Sequence, residues 1–184
     1  IFFLLLIRPA YSRGLFQNKA VLYRKLGISA QMRGELKKAL EYYQKSLIID
    51  PDNAVVYNDL GVLYEMLGDS PLAEEVYNKA LVLEPDYAGV YSNLALLYEK
   101  KGDLLKAAGF WFKRIKYSKG EDDLWAIKAK QRVYEISRII PEVKEKYIRI
   151  ESELLEKDVV RMKDIGYPYE LDSDIDLEDI SSQN

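Results

Sequence analysis

Residues 54–87 read AVVYNDLGVLYEMLGDSPLAEEVYNKALVLEPDY, and the 34 residues before them, 20–53, read AVLYRKLGISAQMRGELKKALEYYQKSLIIDPDN. Laid over each other, the two stretches share their marker residues. Tyr23, Leu26, Gly27, Gly34, Ala39, Tyr43, Ser46 and Pro51 return as Tyr57, Leu60, Gly61, Gly68, Ala73, Tyr77, Ala80 and Pro85. A third copy follows less fully, as Tyr91, Leu94, Ala95, Gly102, Ala107 and Trp111. A repeat of that period predicts a stack of small units, none of which can bury its own apolar face alone.

Within a unit the residues read as two antiparallel helices. In the second copy these run over 55–67 and 72–84, with the turn Gly68-Asp69-Ser70-Pro71 between them. Pro71 suits a first helical turn, where its missing N–H is not needed, and Asp69 or Ser70 can cap that turn. Pro85 ends the second helix, because the residue before a proline is pushed out of the helical region. The first copy turns at Arg33-Gly34-Glu35 and stops at Asp50-Pro51; the third turns at Lys101-Gly102-Asp103. Gly27 and Gly61 are placed where the two helices cross closely, with Ala39, Ala73 and Ala107 as small residues on the second helix. The Tyr and Leu markers fill the space between units.

This pattern resembles the tetratricopeptide repeat over residues 20–118. The resemblance implies an all-α, tetratricopeptide-type helical solenoid of three helix-turn-helix repeats, at 20–53, 54–87 and 88–120. The third departs in its second half, where Arg114 stands at a small-residue position and Lys119 at the proline position. A solenoid leaves a raw apolar face at its last unit and needs a cap. Residues 121–165 fit that role. Asp122 or Asp123 caps a helix whose stripe runs Trp125, Ala129, Val133, Ile136 and Ile140. Pro141 starts another, with Val143, Tyr147, Ile150 and Leu154 on one side, broadened by Ile148.

The two ends differ in kind. Segment 1–19 opens with seven apolar residues, Ile1 to Ile7, followed by Arg8, Arg13 and Lys19. Seven residues are too few to cross a bilayer, which takes ~20. They read either as the last turns of a span that begins upstream of Ile1 or as a short helix packed on the first repeat. In the first case the cationic flank puts the repeats in the cytoplasm, held to a membrane. At the other end, residues 170–184 carry six carboxylates and no Lys or Arg. Acidic and apolar residues alternate there without a helical stripe, so 166–184 is expected to be a disordered tail.

Composition narrows function. With no Cys and no His there is no thiolate nucleophile, no zinc–thiolate site and no imidazole base. No GxxxxGK[ST], GxGxxG or CxxC motif occurs, and the net charge of −3 is not that of a nucleic-acid binder. The expectation is a protein–protein interaction scaffold, not an enzyme, with no cofactor or metal, no nucleic acid, and a protein or peptide as partner. The alternative is the C-terminal interaction tail of a larger membrane enzyme, such as a glycosyltransferase.

The resemblance implies a concave groove lined by first helices, with positions 2, 5, 9 and 12 of each repeat facing it. The candidate groove residues are therefore Arg24, Ile28 and Gln31 with neighbouring Lys25, then Val55, Asn58, Val62 and Glu65, then Ser92, Leu96 and Glu99. Ile28, Val62 and Leu96 read either as an apolar ridge across the groove or as packing between helices and under the C-terminal helix. The cations Arg24 and Lys25 suggest an acidic ligand end, for which the chain's own tail qualifies. A clamp for chaperone C-terminal carboxylates is not implied. Of its five positions only Arg24 suits, while Ile28, Asp59, Gly89 and Asn93 replace the residues required.

Overall fold

The computed structural model describes residues 18–149, apart from 119, 121, 122 and 147. Those residues form eight helices and no strand. α1 occupies 18–32, α2 Leu36–Ile49, α3 Ala54–Met66, α4 Ser70–Leu83, α5 Ala88–Lys100, α6 Leu104–Lys116 and α7 Leu124–Ser137. α8 begins at 141 and is followed to 149. None is long and apolar enough to cross a membrane. The apolar run at 1–7, the connector after it, Ile150, Leu154 and the acidic tail lie outside the described residues.

The same devices start and stop the helices in each repeat. Gly34, Gly68 and Gly102 sit at φ of 76°, 80° and 79°, the left-handed region that glycine enters without a Cβ penalty. The next residue's N–H then turns back into the helix, from Glu35 to the Ala30 carbonyl, Asp69 to Tyr64 and Asp103 to Tyr98. Asp69 caps α4 by accepting from the Leu72 N–H at 3.1 Å, and Asp103 does the same for α6 through Lys106. Ser70 is thus the first helical residue and Pro71 lies in the first turn, one to two residues earlier than the sequence pattern suggested.

Each unit's two helices pack on each other, and successive units stack. The markers are core: Ala39, Tyr43, Leu60, Ala73, Tyr77, Leu94, Ala107 and Trp111 are all buried. Among the leucine markers Leu26 is the exception at 37 % exposed, because no described unit precedes α1 to cover it. The last cluster joins Trp111, Phe112 and Ile115 of α6 to Ala129, Val133 and Ile136 of α7 and Val143 of α8. α7 and α8 thus close the end of the stack. The phase of α7 corrects the expected stripe: Ala126 faces inward, whereas Trp125 is 45 % exposed with Lys128 over its ring. Ile148 is exposed instead of broadening the α8 side.

Arg114 has a structural reason for being large. Its guanidinium is buried and its Nη2 donates to Asp123, which also caps α7 through the Trp125 and Ala126 N–H groups. The residue that breaks the repeat pattern fastens the third repeat to the helix that follows it.

Candidate functional site

The first helices α1, α3 and α5 stand side by side, and their facing side chains are linked one repeat to the next. Arg24 Nε donates to Asp59 Oδ2 at 2.6 Å, Asn93 Nδ2 to Asn58 Oδ1 at 2.8 Å, and Gln31 Nε2 to Met66 Sδ at 3.2 Å. Arg132 of α7 continues the series, placing Nε and Nη2 on the two carboxylate oxygens of Glu99 at 3.0 and 2.9 Å. Such a bidentate pair fixes orientation as well as charge. α7 therefore adds a side chain to the same face as the repeats.

A second series runs inside each unit. Tyr43 Oη donates to Gln31 Oε1 at 2.7 Å, Tyr77 Oη to Glu65 Oε1 at 2.5 Å, and Trp111 Nε1 to Glu99 Oε1 at 2.7 Å. In all three the donor lies twelve residues after its acceptor. A buried ring on the second helix thereby holds a polar group on the first. Burial drives the Tyr77 hydroxyl well above the usual phenol range, reinforced by the Glu65 carboxylate it bonds, and burial raises Tyr43 too.

Between α1 and α3 the face sinks into a hollow of about 330 Å³, lined by Ile28, Gln31, Met32, Tyr43, Asp59, Val62 and Met66. Its walls are mostly apolar, and the one charge, Asp59, is already paired with Arg24. Burial pushes the Asp59 carboxyl up, and hydrogen bonding and charge from Arg24 act against that.

Of the residues the sequence placed in the groove, Ile28, Gln31 and Val62 meet in this hollow. Arg24, Asn58, Glu65 and Glu99 are engaged by the bonds above. Lys25 is exposed, and Val55 is half-buried. Ser92 is buried, and Leu96 packs against the cluster shared with α7. Ile28 and Val62 thus share one hollow, and Leu96 packs apart from them. Asp59, weighed above only as a clamp position, lines the hollow too, and Met32, Met66 and Tyr43 were not among the expected groove residues, although Met32 and Met66 stand one repeat apart and follow Gln31 and Glu65 directly.

The family described as Tetratricopeptide repeat matches residues 18–83, and the one described as TPR repeat matches 71–102. Residues 18–102 belong to the tetratricopeptide-repeat family. No curated protein matches it. Among solved structures, the first TPR domain of Spaghetti (RPAP3), bound to an HSP90 peptide, is 21 % identical. It covers 67 % of this chain and 94 % of that one, at a TM-score of 0.58. The Sgt2 TPR domain of Aspergillus fumigatus is 24 % identical, covering 69 % and 82 % at 0.58. MamA is 25 % identical, covering 79 % and 82 %, also at 0.58. The first two likenesses carry the tetratricopeptide fold and not the ligand.

Proposed function

We propose that this tetratricopeptide array is a binding module, not a catalyst, and that its concave face takes a partner protein as an extended peptide or a helix. An aliphatic side chain of the partner seats in the hollow between Ile28 and Val62. The observation that carries this reading is the hollow itself, whose volume of about 330 Å³ suits one or two such side chains at the junction of two repeats. Met32 and Met66 at its rim are 84 % and 52 % exposed, and unbranched thioethers adapt to varied apolar surfaces.

The first two repeats are the centre of this site, since in the third Glu99 holds Arg132 and Leu96 packs toward α7. Arg24 is occupied by Asp59, which argues against a partner held by its terminal carboxylate. We further place the repeats in the cytoplasm on the reading in which the apolar run 1–7 ends a membrane span, since the cations Arg8, Arg13 and Lys19 would hold that flank on the cytoplasmic side.

The test is selection of peptides from a random displayed library against the full chain. Binders should lose affinity about tenfold or more, ~1.4 kcal/mol, on Met66→Asp or Val62→Asp. Melting of the Met66→Asp protein should stay near wild type, because that side chain is half exposed. Binders indifferent to both changes would overturn the assignment.

A further inference from the structure

Charge is divided unevenly along the array. Residues 20–103 hold nine Lys and Arg against thirteen Asp and Glu, whereas 104–149 hold twelve against six. The basic excess therefore belongs to α6, α7 and α8, away from the hollow. On the side of α7 opposite its buried Ala126, Ala129 and Val133, Leu124 is 78 % and Ile127 52 % exposed. Lys130 lies one turn further on and Arg138 at the C-cap, with Tyr134, 53 % exposed, and Glu135, which pairs with Arg132, between them; Ile139, 68 % exposed, and Lys144 follow across the turn to α8. Lys130, Arg138 and Lys144 form no ion pair among the described residues, whereas Arg132 on the groove side is fully engaged.

We infer that the acidic segment 170–180 of this same chain docks on that outer strip. Its Leu171, Ile175 and Leu177 meet Leu124 and Ile127, and its carboxylates meet Lys130, Arg138 and Lys144. The argument is charge complementarity combined with a matching alternation. The segment is acidic and apolar by turns, and the strip is basic and apolar. The concave face is the poorer match: Arg24 already carries Asp59, which leaves Lys25, and the face also holds the carboxylates Glu65 and Glu99. Length permits the contact. Twenty residues separate 149 from 170, and even at a helical rise of ~1.5 Å each they span ~30 Å, more than the ~21 Å of α7. Tethering supplies an effective concentration on the order of millimolar, so a contact too weak between separate molecules is populated within one. Docking withholds the strip from other acidic partners.

The experiment compares amide resonances of the full chain with those of a chain ending at Gly166. The expected result is a shift at 124–130 and 138–144 on truncation, with Ile28 and Val62 unmoved. Raising salt well above 0.1 M, where charges are screened within about 10 Å, should produce the same shifts in the full chain. So should the triple change Lys130→Glu, Arg138→Glu and Lys144→Glu, whose sites are exposed. Changes confined to the cut end, or appearing at Ile28 and Val62, overturn the proposal. Shifts that grow with protein concentration alongside a doubled mass would place a second copy's tail on the strip and overturn the contact in cis. Vesicles of anionic lipid bound equally well by both chains would also overturn it, because the strip would then be open in each.

Discussion

A Cβ built on Gly61 would lie 2.2 Å from Tyr77 Cε1, and one on Gly27 2.5 Å from the same atom of Tyr43. The glycine makes room for the ring, and the ring's hydroxyl reaches Glu65 or Gln31 on the far side. Tyr77 is wholly buried and cannot swing away, so Gly61→Ala should cost ~1–3 kcal/mol by overpacking. Gly109 provides the opposite case. It lies within α6 with nothing within 4 Å of its added Cβ, so Gly109→Ala should stabilise by roughly 0.5–1 kcal/mol. Urea melts of both variants check the pair, and a loss in each would refute the packing argument. Glu74 makes a different point. A carboxylate next to another, here Glu75, is a pattern expected on a solvated face, yet Glu74 accepts from Tyr98 Oη and Lys101 Nζ, each at 2.5 Å, across the second and third repeats. Those bonds hold its carboxyl below the usual range, Lys101 contributing most, and the Tyr98 hydroxyl rises to about 12 through the same bond. A lowered carboxyl contributes stability above its unfolded pKa and loses it as pH falls through the folded one. Glu74→Gln should therefore cost up to about 1 kcal/mol at pH 7, given its partial exposure. The gap from wild type should close as pH drops through and below the ordinary glutamate value. Melting temperatures of both proteins at several pH values would show it; a constant gap would refute the linkage.

The helices were legible almost throughout because their punctuation is chemical: glycine at positive φ, aspartate at the cap, proline in the first turn or past the end. α7 shows where that reading failed. Trp125 is far larger than Ala126 and offers more apolar area, so a stripe drawn by apolar size takes the wrong residue. The tight seat against α6 accepts only the small one, and Trp125 turns outward under Lys128. The link between α6 and α7 was equally hidden, since Arg114 reads as an irregularity until Asp123 is seen beside it. That pair leads to a prediction about the joint. Among the described residues, Arg114 Nη2 donates to Asp123 while Nε and Nη1 have no hydrogen-bond partner. Asp123→Ala would strand a buried guanidinium and remove a helix cap, with an expected cost of about 3–5 kcal/mol. Arg114→Met keeps the volume and leaves Asp123 at the cap, so it should cost far less. The double variant should recover much of the single loss at Asp123. Equal penalties for the two single changes would mean that the pair does not behave as a buried charge and its counter-ion.

Across the whole molecule, the repeat period led to an expectation of which positions face the groove but not of what each side chain does. Arg24 to Asp59 and Asn58 to Asn93 are bonds between repeats, formed between neighbouring positions one unit apart, and a wheel drawn for one helix cannot show them. The recurring twelve-residue bonds within units were present in the pattern, but as Tyr, Gln, Glu and Trp they read as separate core and groove residues. Those two series tie the face of the first helices into one sheet of side chains, and a stack so built depends on its end. Trp111, Phe112 and Ile115 are buried by Ala129, Val133, Ile136 and Val143, which belong to no tetratricopeptide unit of the 34-residue series. A chain stopping after Ser118 would leave that cluster open to water and Glu99 without Arg132. It should aggregate or lose cooperative unfolding, because a terminal repeat needs a polar outer surface. Val133→Asp in the full chain tests the same joint without deletion, by placing a carboxylate at a fully buried position of the cluster. It should lower the melting temperature sharply, whereas Leu124→Asp on the outer side of the same helix should barely change it. Similar shifts for the two, or a monomeric truncated chain as stable as the full one, would show that α7 and α8 do not close the stack.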